Sequence, residues 1–130
     1  MIKYRNINDM LILSTMPHYF ALYYTYKKDM YHSIIILLAS SSSILWHQEY
    51  EKNFYLYTID HLFAAALSGY EIYVNINKEN IINIISANFM VFFVHKASEL
   101  LEKYKFVDYS TGHSIFHVAS AIKTIFVANI

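Results

Sequence analysis

The sequence predicts an all-α protein, specifically a polytopic membrane bundle of about five transmembrane helices in one domain, residues 1–130. Three observations carry this. The hydrophobic fraction is 56 % and only 15 % of the 130 residues are charged, against about 25 % in a soluble domain. The apolar residues fall in long blocks separated by short polar segments. There are only two Gly and one Pro, so few positions break a helix. Formal net charge is zero, which removes any case for nucleic-acid binding by charge. Cysteine is absent, which excludes disulfides and thiol catalysis.

The first span, residues 10–26, is interrupted by Pro17 and His18 and continues into aromatic residues where a signal peptide would carry a cleavage site, so it reads as a retained helix. The second, residues 30–47, combines the apolar run Ile34–Ala39 with four serines, Ser40–Ser43, which suit a helix–helix contact because small residues let backbones approach. The third, residues 54–76, carries Asp60 and His61 near its start. Its Ala64–Ala66 and Ser68-Gly69 stretches are expected to form a second contact face. The fourth, residues 81–95, is short for a span of roughly 20 residues, and Ala97–Tyr104 either extends it or lies at the interface. The fifth covers residues 113–130. Basic residues favour the side of the N-terminus as cytoplasmic: Lys3, Arg5, Lys52, Lys96, Lys103 and Lys105 lie there, against Lys27, Lys28 and Lys78 opposite.

Among the polar residues, His113 and His117 stand one helical turn apart on one face. That spacing lets two imidazoles close on one metal ion, and zinc sites of the catalytic kind take three protein ligands. Counting span directions brings His47, Asp60 and this pair to the same side of the bundle, within about 10 Å of one interface at 1.5 Å rise per residue. Ser43 lies one turn below His47. An ionisable group at that depth is costly and is a functional candidate by default. The expected site has His47, His113 and His117 as zinc ligands, their nitrogens within about 4 Å of one another. Asp60 is expected to hold and deprotonate a water, and Ser43 to donate to the oxyanion. The second, third and fifth spans should then be mutual neighbours.

Ser43-x-x-x-His47, Asp60 and His113-x-x-x-His117 resemble the signature of the CREST superfamily of membrane proteins, which includes alkaline ceramidases, progestin and adiponectin receptors, GPI-remodelling lipases and myomaker-like proteins. The resemblance implies a seven-helix core, zinc on the three histidines, the aspartate on the catalytic water and a serine nearby. This chain shows five spans, so two helices between Asp60 and the last histidines are missing, a change that preserves span direction.

The function expected is a zinc-dependent hydrolase acting on a membrane lipid's amide or ester bond near one interface. The alternative is a non-catalytic membrane module, such as a fusion or scaffolding factor, with structural zinc. A homodimer is compatible with five short helices that do not enclose a site alone. The other histidines carry less: His18, His32 and His95 are expected to be solvated near span ends, and His61 to point about 100° away from Asp60. Lys123 is expected to snorkel and to pair with Glu71, and Trp46 to join an aromatic belt.

Overall fold

The computed structural model describes residues 3–130 and is all-helical, with no strand among these residues. The elements are α1 (Met10–Thr15), a 3-10 turn (Met16–Tyr19), α2 (Phe20–Thr25), α3 (Met30–Gln48), α4 (Phe54–Asn75), α5 (Ile81–Lys103) and α6 (Tyr109–Asn129). The first span is thus two short helices rather than one. Pro17 sits at the start of the 3-10 turn. Its ring removes an N–H and crowds the preceding turn, so the chain tightens locally and then resumes.

Side-chain caps fix where the longer helices begin. Asp29 accepts from the His32 amide at the start of α3, and Asn53 accepts from the Tyr55 and Leu56 amides at the start of α4. Asp108 accepts from the Thr111 amide at 2.7 Å at the start of α6. Each satisfies amides that have no partner within the helix. The fourth helix does not stop at residue 95 but runs on to Lys103.

The helices form a ring in chain order. α3 packs along α4 and against α1 and α2, α6 packs along α5 and against α1 and α2, and α4 closes more sparsely onto α5. Residues from α1, the 3-10 turn and α3 to α6 line one cavity of about 300 Å³. The expectation that the second, third and fifth predicted spans are mutual neighbours is corrected here. α4 packs on α3, but α6 meets α3 through the His47 and His117 side chains and faces α4 across the cavity.

The serines behave as a contact face: Ser40, Ser42 and Ser43 are buried, and Ser41 meets the Tyr19 hydroxyl at 3.0 Å. The alanines do not. Ala64, Ala65 and Ala66 are exposed, and a side chain added at Gly69 would meet nothing within 4 Å. The larger Leu67 and Phe63 reach the neighbouring apolar cluster with Ile36 and Ala39 instead. Methyl groups are too short to bridge to α5, so Ala64 and Ala65 border the cavity.

More of the buried residues are polar or charged than apolar, while large apolar side chains such as Phe89, Met90 and Phe93 point outward on α5. α5 has 23 residues and a window of mean hydropathy 1.4, of which only 11 % is buried. Among the described residues it is the one helix long and apolar enough by composition to cross a membrane.

Candidate metal centre

His47 comes from the last turn of α3, and His113 and His117 from the first three turns of α6. One nitrogen from each lies within 4.8 Å of the others, slightly looser than the expected 4 Å. His47 and His117 are buried and His113 is half-buried. The three rings pack against one another, with centroids 4.7–5.0 Å apart. This group could hold a metal ion.

The hydrogen bonds around the rings decide which nitrogens are free. His47 Nδ1 is 2.7 Å from Glu51 Oε1. A carboxylate only accepts, so this nitrogen carries the proton. His117 Nδ1 is surrounded by Thr15 Oγ1 at 2.8 Å, Ser14 Oγ at 3.1 Å and the Leu11 carbonyl at 3.3 Å. Both hydroxyls donate to that same Leu11 carbonyl. The Leu11 carbonyl only accepts, so the arrangement that bonds all three neighbours at once puts the proton on His117 Nδ1.

Both Nε2 atoms then bear lone pairs, and they face each other at 3.2 Å. Two acceptors cannot hydrogen-bond, and burial removes the water that would separate them. A cation placed between them resolves the conflict, with His113 in reach as a third ligand. A carboxylate and a backbone carbonyl behind the ligating histidines is the outer-shell arrangement that orients imidazoles on metals. The donor set of three imidazole nitrogens fits zinc among other divalent transition metals.

Ser43 and Asp60 both line the cavity beside His113 and His117, and the Ser43 side chain stands next to the Asp60 carboxyl group. Asp60 is buried. His61, on the neighbouring position, donates from Nδ1 to the Tyr57 carbonyl at 2.8 Å and lies 3.7 Å from Asp60 Oδ2; its ring is exposed at the cavity edge. Trp46 is not part of an outer belt. It is buried and packs edge-on against His61 and His113, because its position on α3 turns it toward the ring's interior. Tyr109 stacks on His113 at 5.0 Å, and burial pushes its hydroxyl above the usual tyrosine range. Asp108, which caps the same helix, is held below the usual carboxylate range by its bonds from Thr111.

Two of the histidines expected to be solvated are buried. His18 is 7 % exposed and His32 is 5 % exposed, because His18 turns toward α6 and His32 packs against Tyr70 and Glu71 of α4. His18 bonds the Thr15 carbonyl at 2.9 Å and the Ser120 hydroxyl at 3.1 Å. His32 Nε2 faces Glu71 Oε1 at 3.6 Å. His95 is half-buried and pairs with Glu99 at 3.1 Å. Lys123 does pair with Glu71, but it does so buried, at 5 % exposure, rather than by snorkelling outward.

Sequence reasoning did not single out Glu51, Ser14, Thr15 or Tyr109, and it counted Arg5 only as a charge. For Glu51 a signal was present: it follows His47 by four residues, the spacing at which a carboxylate meets an imidazole on a helix. No protein-family model matches the sequence, and no curated protein and no solved structure is significantly similar to it.

Proposed function

We propose that the chain is a zinc-dependent integral-membrane hydrolase that cleaves an amide or ester bond of a membrane lipid, a compact protein of the CREST type. One observation carries the reading: the Nε2 atoms of buried His47 and His117 face each other at 3.2 Å, with His113 beside them, next to a cavity that also holds a carboxylate and a hydroxyl. The membrane setting is supported by the outward apolar residues and by the polar interior, which is the pattern expected of a bundle solvated by lipid. The bias of basic residues favours a cytoplasmic location for the metal side and the N-terminus.

His47, His113 and His117 would hold the ion. Zinc bound there supplies a Lewis acid and brings the ionisation of water near neutrality. The remaining chemistry belongs to the chain. Asp60 is the general base, taking the proton of the attacking water on a carboxylate oxygen and returning it to the leaving amine or alcohol as the carbonyl carbon's C–N or C–O bond breaks, so that a fatty acid is released. Ser43 donates its hydroxyl proton in a hydrogen bond to the carbonyl oxygen as charge builds on it. The apolar walls, Val91, Phe92 and Phe116, accept the acyl chain and limit water to the polar end. The sparse contact between α4 and α5 leaves a side through which lipid can enter.

Elemental analysis of detergent-purified protein tests the metal. About one zinc per chain is expected in the wild type and little in His117→Ala. No zinc in the wild type, or equal zinc in both, overturns the reading. Fatty-acid release from acyl amides and acyl esters in mixed micelles tests the chemistry. Asp60→Asn should keep its zinc and lose at least about 100-fold in rate, the low end for removing a general base. If no cleavage occurs and Asp60→Asn changes nothing, the structural-zinc module is the better reading. That reading draws on the same hydrogen bonds, since a metal on His47 and His117 ties α3 and α6 to α1.

A further inference from the structure

The loop after α3 takes an unusual path. Tyr50 and Glu51 both adopt positive φ, 55° and 57°, a left-handed conformation that side chains with a Cβ avoid. Neither is glycine, so the two residues are held there by something other than local preference. The turn folds Glu51 back beneath the helix end that carries His47, where its Oε1 meets His47 Nδ1 at 2.7 Å.

Arg5 holds the turn in place from the N-terminal side. Its Nη2 donates to Glu51 Oε2 at 2.8 Å, its Nε donates to the His47 carbonyl at 3.0 Å, and its amide donates to the Gln48 carbonyl at 2.8 Å. Its guanidinium also lies over the Tyr50 ring, 4.6 Å from the centroid. A longer contact runs from Nη1 to Asp9 Oδ2 at 3.5 Å; the shorter bonds are all made to residues 47–51, and the arginine side chain is only 12 % exposed. Both oxygens of Glu51 are thereby committed, one to Arg5 and one to His47.

We propose that Arg5 and Glu51 form a latch that positions His47 for metal: Arg5 holds the strained 50–51 turn, and Glu51 sets the tautomer and orientation of the imidazole. Both are positioning residues, and the proposal rests on the metal reading above. Without the carboxylate, His47 would be free to carry its proton on Nε2 and donate it to His117 Nε2. That hydrogen bond would satisfy both rings and compete directly with the ion. The latch therefore excludes the metal-free alternative as well as raising the basicity of the ligand.

The test is zinc affinity by competition with a chromophoric chelator, with the visible spectrum of the cobalt(II)-loaded protein and melting in excess chelator as companions. Glu51→Ala should weaken zinc binding about 10- to 100-fold. Glu51→Gln, whose amide oxygen still accepts from His47, should recover much of that loss and keep the wild-type cobalt spectrum. Arg5→Ala should weaken binding by a smaller factor in the same direction. Melting of Glu51→Ala in chelator should stay close to that of the wild type in chelator. Zinc bound by the wild type and equally by Glu51→Ala overturns the latch alone, and no zinc in the wild type overturns both readings. A changed cobalt spectrum in Glu51→Gln makes Glu51 a ligand and also overturns the latch. If Glu51→Ala does not fold, Arg5→Ala decides: unchanged affinity overturns the proposal.

Discussion

α3 carries a buried histidine near each end, His32 and His47, and the two belong to clusters that handle charge in different ways. They lie about 22 Å apart along the helix at 1.5 Å per residue. At the His32 end, Glu71 is fully buried and Lys123 from α6 supplies the cation. Asn75 closes the back of the cluster by donating to the Glu71 carbonyl at 2.7 Å. That cluster is electrically complete within the chain. At the His47 end, α6 brings His113 and His117 instead of a lysine, and His117 Nε2 faces His47 Nε2 at 3.2 Å. The acid there, Glu51, has its cation in Arg5, and on the proposed reading a metal from outside completes the imidazoles. The difference is what α6 brings to each end of α3: the charge of Lys123 at one, imidazole nitrogens at the other.

Removing that internal charge should produce the largest effect. Lys123→Ala leaves Glu71 buried without a partner, and breaking such a pair typically costs about 3–5 kcal/mol. A melting curve of the detergent-solubilised protein should show the loss, while zinc content per folded chain stays near the wild-type value. The double variant Lys123→Met with Glu71→Leu removes both charges and should recover most of it. A double variant no more stable than Lys123→Ala would mean that the pair is not the source of the cost.

At the other end the expected effect depends on the solution. Metal in hundredfold excess over its dissociation constant stabilises the folded state by about 2.7 kcal/mol. A chelator should remove that increment from the wild type and from Lys123→Ala alike. In His117→Ala it should remove little, because the increment is already gone. A chelator-induced shift of equal size in His117→Ala would erase the distinction between the two clusters.

The smallest effect concerns how the His32 end is supported. Asp29 caps α3 through the His32 amide and takes the Tyr70 hydroxyl on both oxygens at 2.8 Å. Asp29→Ala should cost about 1 kcal/mol, the usual figure for a lost cap, and leave zinc binding unaltered. A loss of zinc affinity in this variant would show that the two ends of α3 are coupled.

Much of the metal end was legible because it depends on features that sequence spacing encodes. His113 and His117 are one turn apart, and span direction returns His47 and Asp60 to the same level. The His32 end was half legible. Lys123 and Glu71 could be paired by depth, but His32 sat near a span end and read as solvated. Its burial depends on how α3 and α4 pack, with Tyr70 and Glu71 against the ring, which periodicity does not report. The Ala64–Ala66 stretch misled for a related reason: small residues permit close approach but do not enforce it, and here they border a cavity. The Glu51 turn was illegible in conformation, since nothing in Tyr50-Glu51 announces left-handed backbone. Among the described residues, α5 alone is long and apolar enough by composition to cross a membrane; the other helices dilute their apolar character with the polar residues that face inward.

The bonds from His117 to Thr15 and Leu11 join positions more than a hundred residues apart. During synthesis the ribosome releases the first span long before α6, by about 5–20 s at roughly 5–20 residues per second. Throughout that interval His47 has no His113 or His117 to meet. A nascent or prematurely terminated chain lacking α6 therefore cannot assemble the three-histidine centre. On the proposed reading, metal loading therefore waits until α6 has been made, and metal content marks the molecules in which α6 has docked on the first helices.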